Sequence, residues 1–252
     1  MDQLNELLRI SISKLRREKE LLDHAEYDGL GQIEALKAID FLPEYRANIH
    51  KSLERYAKIE YYIAPLYAIF TTVVAFILMT MWESWREALA LAQVMLLGYA
   101  FLTGYNQWIR AECNRNVDDA TKIKDKINDV IKNNIQLLYP YVGSAFGTEI
   151  NYLPDPVEFP SRRIIDMYVF SELDNLEFVY EKAKFGLIFP EYAFRTIKIF
   201  ISRAENERFA QRSSQLVIEG RYNIDFQRLV KELIYIGLYR REESMSLKTP
   251  IS

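Results

Sequence analysis

Two long apolar segments occupy the middle of the chain. Residues 61–82 and residues 88–109 each run for 22 positions without a charged side chain. A helix of that length spans roughly 33 Å, against about 30 Å of bilayer hydrocarbon. A buried helical hairpin in a large soluble core is the alternative, but buried helices of this length normally carry some charge. The pattern therefore predicts two membrane-spanning helices.

Aromatic residues mark the ends of these two segments. Trp82 and Trp85 lie at one end of the pair, and Trp108 lies at the other. Tryptophan is enriched at both membrane–water interfaces, where its amphipathic ring sits at the level of the headgroups. We therefore expect Trp82, Trp85 and Trp108 to act as interface anchors.

The connector between the segments is short, so the two helices must be antiparallel neighbours. Residues 83–87 form it and carry one basic residue, Arg86. The nine basic residues on the outer flanks are Arg46, Lys51, Arg55, Lys58, Arg110, Arg115, Lys122, Lys124 and Lys126. Because Lys and Arg stay on the cytoplasmic side, both termini are expected in the cytoplasm. The start of the chain lacks an apolar signal region, so the first span is expected to direct insertion.

Small and polar residues share one face of each predicted span. They are Ala64, Ala68, Thr71 and Thr72 on the first span, and Gln93, Ala100, Thr103, Gly104 and Gln107 on the second. Small residues four positions apart let helix backbones approach closely. These faces either pack the hairpin or line a polar lumen formed by several copies. Neither span contains Asp, Glu, Lys or Arg, so a proton relay is not expected.

Helical periodicity continues on both sides of the hairpin. Residues 3–24 and 32–42 repeat apolar side chains every three or four positions, and Pro43 suits the first turn of a further helix. After the second span, the same spacing predicts a helical stalk over 110–139. Proline and glycine then punctuate residues 140–161, which indicates a linker.

A second helical module follows the linker, over residues 162–240. Its parts, in order, are a helix over 164–185, a turn over 186–189, a helix over 190–220 and a helix over 224–239. Residues 241–252 are expected to form a flexible tail. The predicted fold class is all-α: a two-span transmembrane hairpin at 61–109 with cytoplasmic helical N- and C-terminal parts, the first of them residues 1–60.

The composition of the chain excludes several kinds of functional site. Lys and Arg number 32 against 35 Asp and Glu, a formal net charge of −3, so a bulk electrostatic case for nucleic acid is absent. One cysteine and two histidines exclude a disulfide scaffold and a Cys/His zinc site of standard ligand count. The sequence has no phosphate-binding loop and no G-x-S-x-G elbow. No catalytic residue, metal or cofactor is predicted, and an enzyme with a scattered site stays a minor alternative.

Three groups of side chains have a second interpretation. Cys113 lies just beyond the second span, where a cysteine can be acylated, although an inert thiol is the simpler assignment. Asp174, Glu177 and Glu181 share a helix face and could bind Mg²⁺, but neighbouring lysines favour an ion-paired surface. The last group, which could meet an anionic partner or pair within the module, is Arg203, Arg208 and Arg212.

Residues 171–212 read SELDNLEFVYEKAKFGLIFPEYAFRTIKIFISRAENERFAQR. Their acidic-aromatic helix, Gly-Leu-Ile turn, second helix and trailing arginine resemble a helical domain of uncharacterised function in bacterial membrane-anchored proteins. The layout of the whole chain resembles two-span effectors of bacterial antiphage systems of the retron or abortive-infection type. These resemblances imply a multi-pass protein of the bacterial inner membrane.

The expected function is that of a non-enzymatic antiviral-defence effector that oligomerises and perturbs the membrane. Its expected partners are the lipid bilayer, further copies of the chain and a cytoplasmic protein, and direct nucleic-acid binding is not expected. The alternative is a membrane-anchored scaffold or adaptor that holds a cytoplasmic partner.

Overall fold

The computed structural model describes residues 2–25, 28–42, 69–70, 72–74, 76–77, 80, 85–142, 159–220 and 222–246. All regular structure in these residues is α-helical, which confirms the all-α prediction. The helices are α1 (Asp2–His24), α2 (Gly29–Ala38), α3 (Trp85–Asn133), α4 (Ile135–Val142), α5 (Phe159–Lys184), α6 (Pro190–Ala204), α7 (Glu207–Glu219) and α8 (Ile224–Ser246).

The chain divides into two compact units. The core unit comprises Met1–Ala47 and Asn116–Ser252, and the middle unit comprises Asn48–Arg115. The sequence predicts separate parts over residues 1–60, 110–139 and 162–240. Most of their described residues belong to the core unit.

The core unit buries one apolar cluster to which all eight of these helices contribute. Its largest fully buried side chains are Leu22, Leu36, Ile39, Phe41, Leu42, Ile127, Ile131, Leu138, Tyr168, Phe200, Phe209 and Phe226. Each such side chain contributes about 1.5–3 kcal/mol relative to exposure in water. The apolar stripe that predicted a stalk is therefore a packing surface, since Ala120, Ile127 and Ile131 lie in this core.

Two polar side chains fix helix starts that the sequence placed differently. Asp28 caps α2, because its carboxylate accepts from the backbone N–H groups of Leu30 at 3.1 Å and Gly31 at 3.3 Å. The helix predicted over 32–42 therefore begins earlier. Asn206 caps α7 in the same way, so the single helix predicted over 190–220 is two helices.

The turn predicted over 186–189 is confirmed. Gly186 adopts a positive φ of 65°, a conformation that residues with a Cβ rarely take. The N–H of Leu187 then donates to the Lys182 carbonyl at 2.9 Å, which closes the end of α5. Pro190 is the first residue of α6, as its fixed φ and missing N–H favour.

The predicted stalk over 110–139 is not one uninterrupted helix. α3 ends at Asn133, and the side-chain amide of Asn134 donates to the Val130 carbonyl at 2.9 Å. A side chain that bonds to the local backbone in this way competes with the helical ladder. The chain resumes as α4 one residue later.

Helices overlap both ends of the predicted linker, 140–161. α4 continues to Val142, and α5 already begins at Phe159. Pro160 is compatible with helix there, because a proline in the first turn removes an N–H that would have no intrahelical partner. Residues 143–158 lie outside the described residues.

α8 extends into the predicted tail. The flexible tail was expected from residue 241, whereas the helix continues to Ser246. Arg241 explains part of this difference, because its guanidinium donates to the Glu207 carboxylate at 3.0 Å and ties α8 to the start of α7.

Within the part of the chain that the structure describes, no helix is both long enough and apolar enough to cross a bilayer. The first predicted span, 61–82, lies largely outside the described residues, and the helix expected to lead into it from Pro43 lies wholly outside them. The second, 88–109, lies within α3. The two spans therefore stay a prediction.

At Gly237, α8 packs closely against α6. A Cβ at this position would lie 2.8 Å from the Ala204 Cβ and 2.8 Å from the Ile201 carbonyl oxygen. We expect Gly237→Ala to lower the free energy of unfolding by about 1–2 kcal/mol, because backbone atoms cannot move aside and overpacking outweighs the gain in helix propensity. Thermal unfolding followed by circular dichroism measures this change.

Gly29→Ala is the matched control for that substitution. Gly29 also lies in a helix, and among the described residues no atom would come within 4 Å of its new Cβ. The free energy of unfolding of Gly29→Ala should equal that of the parent chain or be slightly higher. Equal stabilities of the two variants would contradict the close packing of α6 and α8.

Candidate functional site

The first part of α3 presents an apolar surface. Its exposed members, named the α3 apolar surface here, are Leu89, Val94, Met95, Leu96, Leu97, Phe101, Tyr105 and Trp108. Leu97 is 70% exposed and Phe101 is 73% exposed. Monomeric soluble proteins rarely expose contiguous apolar patches of this kind, so such a surface marks a site of interaction with a protein or a membrane.

A polar residue on the same stretch of helix is buried. Asn106 is only 7% exposed, while its neighbour Tyr105 and the nearby Trp108 are exposed. The apolar side chain of Ile109 is buried beside it, at 4% exposed. This stretch of α3 therefore has a buried side that includes a polar residue and an exposed side that is largely apolar.

The predicted polar and small-residue face lies on exposed positions of α3. Gln93, Ala100, Gly104 and Gln107 are exposed. The hydroxyl of Thr103 is half-buried and donates to the Tyr99 carbonyl at 3.0 Å and to the Ala100 carbonyl at 3.1 Å, within its own helix. Thr72 is exposed. The remaining members, Ala64, Ala68 and Thr71, lie outside the described residues.

The three predicted anchors are described to different extents. Trp108 is exposed, and its ring stacks on that of Tyr105 with centroids 6.1 Å apart. Trp85 is the first residue of α3. Trp82 lies outside the described residues.

The second part of α3 belongs to the core unit and packs there. The side-chain amide of Asn116 donates to the Leu187 carbonyl at 2.8 Å, in the turn between α5 and α6. Ala120 and Ile127 follow in the apolar core. One continuous helix thus carries both the α3 apolar surface and residues fixed within the core unit.

Cys113 is buried. Burial raises the pKa of its thiol to about 11, and the nearby Glu112 carboxylate adds to the effect. Because the thiolate is the reactive form, a thiol that stays protonated at neutral pH is a poor nucleophile. This supports the assignment of an inert thiol.

Two of the three acidic residues of α5 have ordinary protein partners. The Tyr222 hydroxyl donates to Asp174 at 2.5 Å, and Lys184 pairs with Glu181 at 3.5 Å. Partial burial raises the pKa of Glu177, with further contributions from the other two carboxylates. Among the described residues, no group of three His, Cys, Asp or Glu side chains is arranged to hold a metal ion.

Two of the three arginines singled out in the sequence pair within the core unit. Arg212 contacts the Asp166 carboxylate at 2.6 Å, which joins α7 to α5. Arg203 pairs with Glu172, and both are buried. Arg208 is exposed. The alternative of pairing within the module is thus correct for Arg203 and Arg212.

Charged side chains join α1 to α8, a contact that no pattern in the sequence indicates. Lys14 pairs with Glu232 at 2.6 Å, and the further pairs are Lys19 with Glu243 and Asp23 with Arg240. Glu18 lies buried beside the first of them, and Lys14 is also 3.2 Å from its carboxylate. Burial raises the pKa of Glu18 to about 7, and the neighbouring Glu232 adds to the rise.

Comparisons with protein-family models, with curated proteins and with solved structures find nothing that matches this chain. Its function is therefore argued from its own residues.

Glu18→Gln should make stability less dependent on pH. The folded chain holds the Glu18 proton more tightly than the unfolded chain, so stability is lost as pH rises from the ordinary value of 4.5 through about 7. Glutamine imitates the protonated form, so the variant should be more stable than the parent at pH 8, by on the order of 1 kcal/mol, and similar to it at pH 5. Urea unfolding at both pH values measures this.

Glu20→Gln is the control, because Glu20 lies on the same helix and is exposed. It should change stability little at either pH. If Glu18→Gln destabilises the chain at pH 8 as much as at pH 5, the Glu18 carboxylate is ionised and favourably paired, and the assignment is wrong.

Proposed function

We propose that the chain is a non-enzymatic two-pass protein of the bacterial inner membrane. The spans are residues 61–82 and 88–109, with both termini in the cytoplasm. The observation that carries the proposal is the α3 apolar surface, which extends over a charge-free stretch of helix. Side chains as large as Leu97 and Phe101 each lose about 1.5–3 kcal/mol when they face water instead of an apolar phase. A bilayer removes that cost.

The charges that flank this surface support an orientation. Arg110 and Arg115 follow it on the same helix, and Arg86 alone precedes it in the connector. Basic residues are retained on the cytoplasmic side, so the core unit is placed in the cytoplasm.

A reporter fusion tests the topology. Alkaline phosphatase, which is active only in the periplasm, should be inactive when fused after Ser252 and active when inserted in the connector at Ser84. Green fluorescent protein should give the opposite result at the two positions. Active phosphatase at Ser252 would exclude a cytoplasmic C-terminus.

We further propose that copies of the chain associate through α3 and perturb the membrane. Gln93 and Gln107 lie on the same helix face as Ala100 and Gly104, and all four are exposed. Among the described residues, no atom would come within 4 Å of a Cβ added at Gly104, so a neighbouring backbone has room to approach. Side-chain amides gathered from several copies would give a lumen that water can wet.

Because α3 is one continuous helix, the core unit could control the membrane part through it. Its second part is held by the Asn116 contact and by the buried Ala120 and Ile127, so a rearrangement of the core unit displaces the same helix that carries Gln107. A cytoplasmic protein that binds the core unit would then switch the membrane part. A role in antiviral defence rests on the resemblance of the whole layout to antiphage effectors.

The lumen is tested by Gln93→Leu combined with Gln107→Leu. The parent should depolarise cells when overexpressed, as measured with a membrane-potential dye. The double variant should lose this effect, because leucine leaves the lumen apolar, while its abundance and its resistance to alkaline extraction from membranes stay unchanged.

Gln93→Asn combined with Gln107→Asn is the matched control, because it keeps both amide groups. It should depolarise cells like the parent. Undiminished depolarisation by the leucine variant would rule out the polar lumen.

The scaffold or adaptor is the second candidate, and a groove in the core unit favours it. The groove lies between α7 and α8 and has a volume of about 850 Å³. Ile218, Tyr235 and Met245 line it with exposed apolar surface. Such a groove suits a segment of a partner protein. A scaffold would be tolerated on overexpression, so absence of any depolarisation by the parent chain favours this candidate.

A further inference from the structure

We propose that the core unit contains a binding site for a small phosphate monoester. The site is a cavity of about 310 Å³ among α3, α5 and α6. Small-molecule sites begin at about 300 Å³, so the cavity fits a ligand of a few functional groups. It lies wholly within the core unit, and the inference holds whatever α3 does in a membrane.

Cationic side chains converge on this cavity from two helices. Lys124 comes from α3, while Arg195 and Arg203 come from α6. Neither Lys124 nor Arg195 forms an ion pair with another described residue. Burial lowers the pKa of Lys124, and the positive charges of Arg195 and Arg203 lower it further, against a smaller opposing effect of Asp125. An anion between these groups would supply the counter-charge that they lack.

The third cation is held in place by a buried partner. Arg203 is 7% exposed and Glu172, with which it pairs, is 5% exposed; both line the cavity. A buried ion pair is rarely more stabilising than apolar side chains of the same volume. The presence of this ion pair in the cavity wall is explained if Glu172 holds the Arg203 guanidinium in a fixed position for a ligand. Glu172 neutralises Arg203, and Asp125 also lines the cavity. Lys124 and Arg195 therefore leave the lining with a surplus of one positive charge.

An unpartnered acceptor indicates that the ligand also carries a donor. Asn175 lines the cavity and is 7% exposed, and its Oδ1 has no hydrogen-bond partner among the described residues. A buried acceptor left without a partner costs about 1–3 kcal/mol. A ligand hydroxyl or N–H group would satisfy it. Tyr192 and Phe200 add ring surface to the lining.

These features together favour an ester over inorganic phosphate. The phosphate group would lie between Lys124 and Arg195, and a hydroxyl-bearing or N–H-bearing body would reach Asn175. Inorganic phosphate has no such body, so we expect it to bind more weakly. The sequence could not indicate the site, because its residues come from three separate helices.

Calorimetric titration of the full-length chain in detergent micelles tests the proposal. The probes are ribose 5-phosphate and AMP, with ribose, adenosine and inorganic phosphate as comparisons. At least one of the two esters should bind, the uncharged compounds should not, and inorganic phosphate should bind at least tenfold more weakly. Absence of binding by both esters, or equal affinity for inorganic phosphate, overturns the proposal.

Variants assign the binding to this cavity. Lys124→Met and Arg195→Met should each weaken ester binding by about tenfold, because each removes a charge-assisted contact. Arg195→Lys should retain most of the affinity. The matched control is Lys132→Met, an exposed lysine of the same helix as Lys124 that does not line the cavity. Equal losses in Lys124→Met and Lys132→Met would place the ligand elsewhere or make the attraction non-specific.

Discussion

The need to remove apolar surface from water shapes two parts of this chain, the core unit and the first part of α3. In the core unit, side chains from α1 to α8 bury one another in one apolar cluster, although several large apolar side chains such as Met167, Phe185 and Ile224 stay exposed. In the first part of α3 the same need is not met by the described residues, because Leu97 and Phe101 face outward. The proposed membrane location answers it with a different apolar medium.

A single helix, α3, carries both the exposed apolar surface and side chains that are buried in the core unit. α3 runs from Trp85 to Asn133 and changes character along its length, from an exposed apolar surface to a stripe that packs inward. No change in backbone geometry is needed, since the same helical repeat presents either set of side chains. The proposed control of the membrane part by the core unit depends on this mechanical continuity.

Among the described residues of the core unit, few polar side chains are buried, and three of them line one cavity. The Arg203–Glu172 pair and Asn175 are concentrated at one cavity. The other ion pairs mostly join helices at the surface, as between α1 and α8, where each is worth little and acts with its neighbours. Glu18, Asn116 and Ser213 are buried elsewhere in the core unit, so the cavity is distinguished by holding three buried polar residues together.

Apolar periodicity alone determined the all-α class, the approximate extents of α1 and α5 and the start of α8, because the 3.6-residue repeat is local. The turn at Gly186 was predicted from the glycine itself, because glycine can adopt the positive φ that this turn has. The break at Asn206 was missed, since an asparagine becomes a cap only when the chain bends there.

Only the tertiary structure decided which helices meet. Lys14 and Glu232 are 218 positions apart, and Lys124, Asn175 and Arg195 lie on three helices. No local pattern encodes such meetings, because they follow from how the apolar faces of distant helices pack. Sequence therefore specified the elements and the charge-free segments, and the packing of the core specified the cavity and the ion pairs.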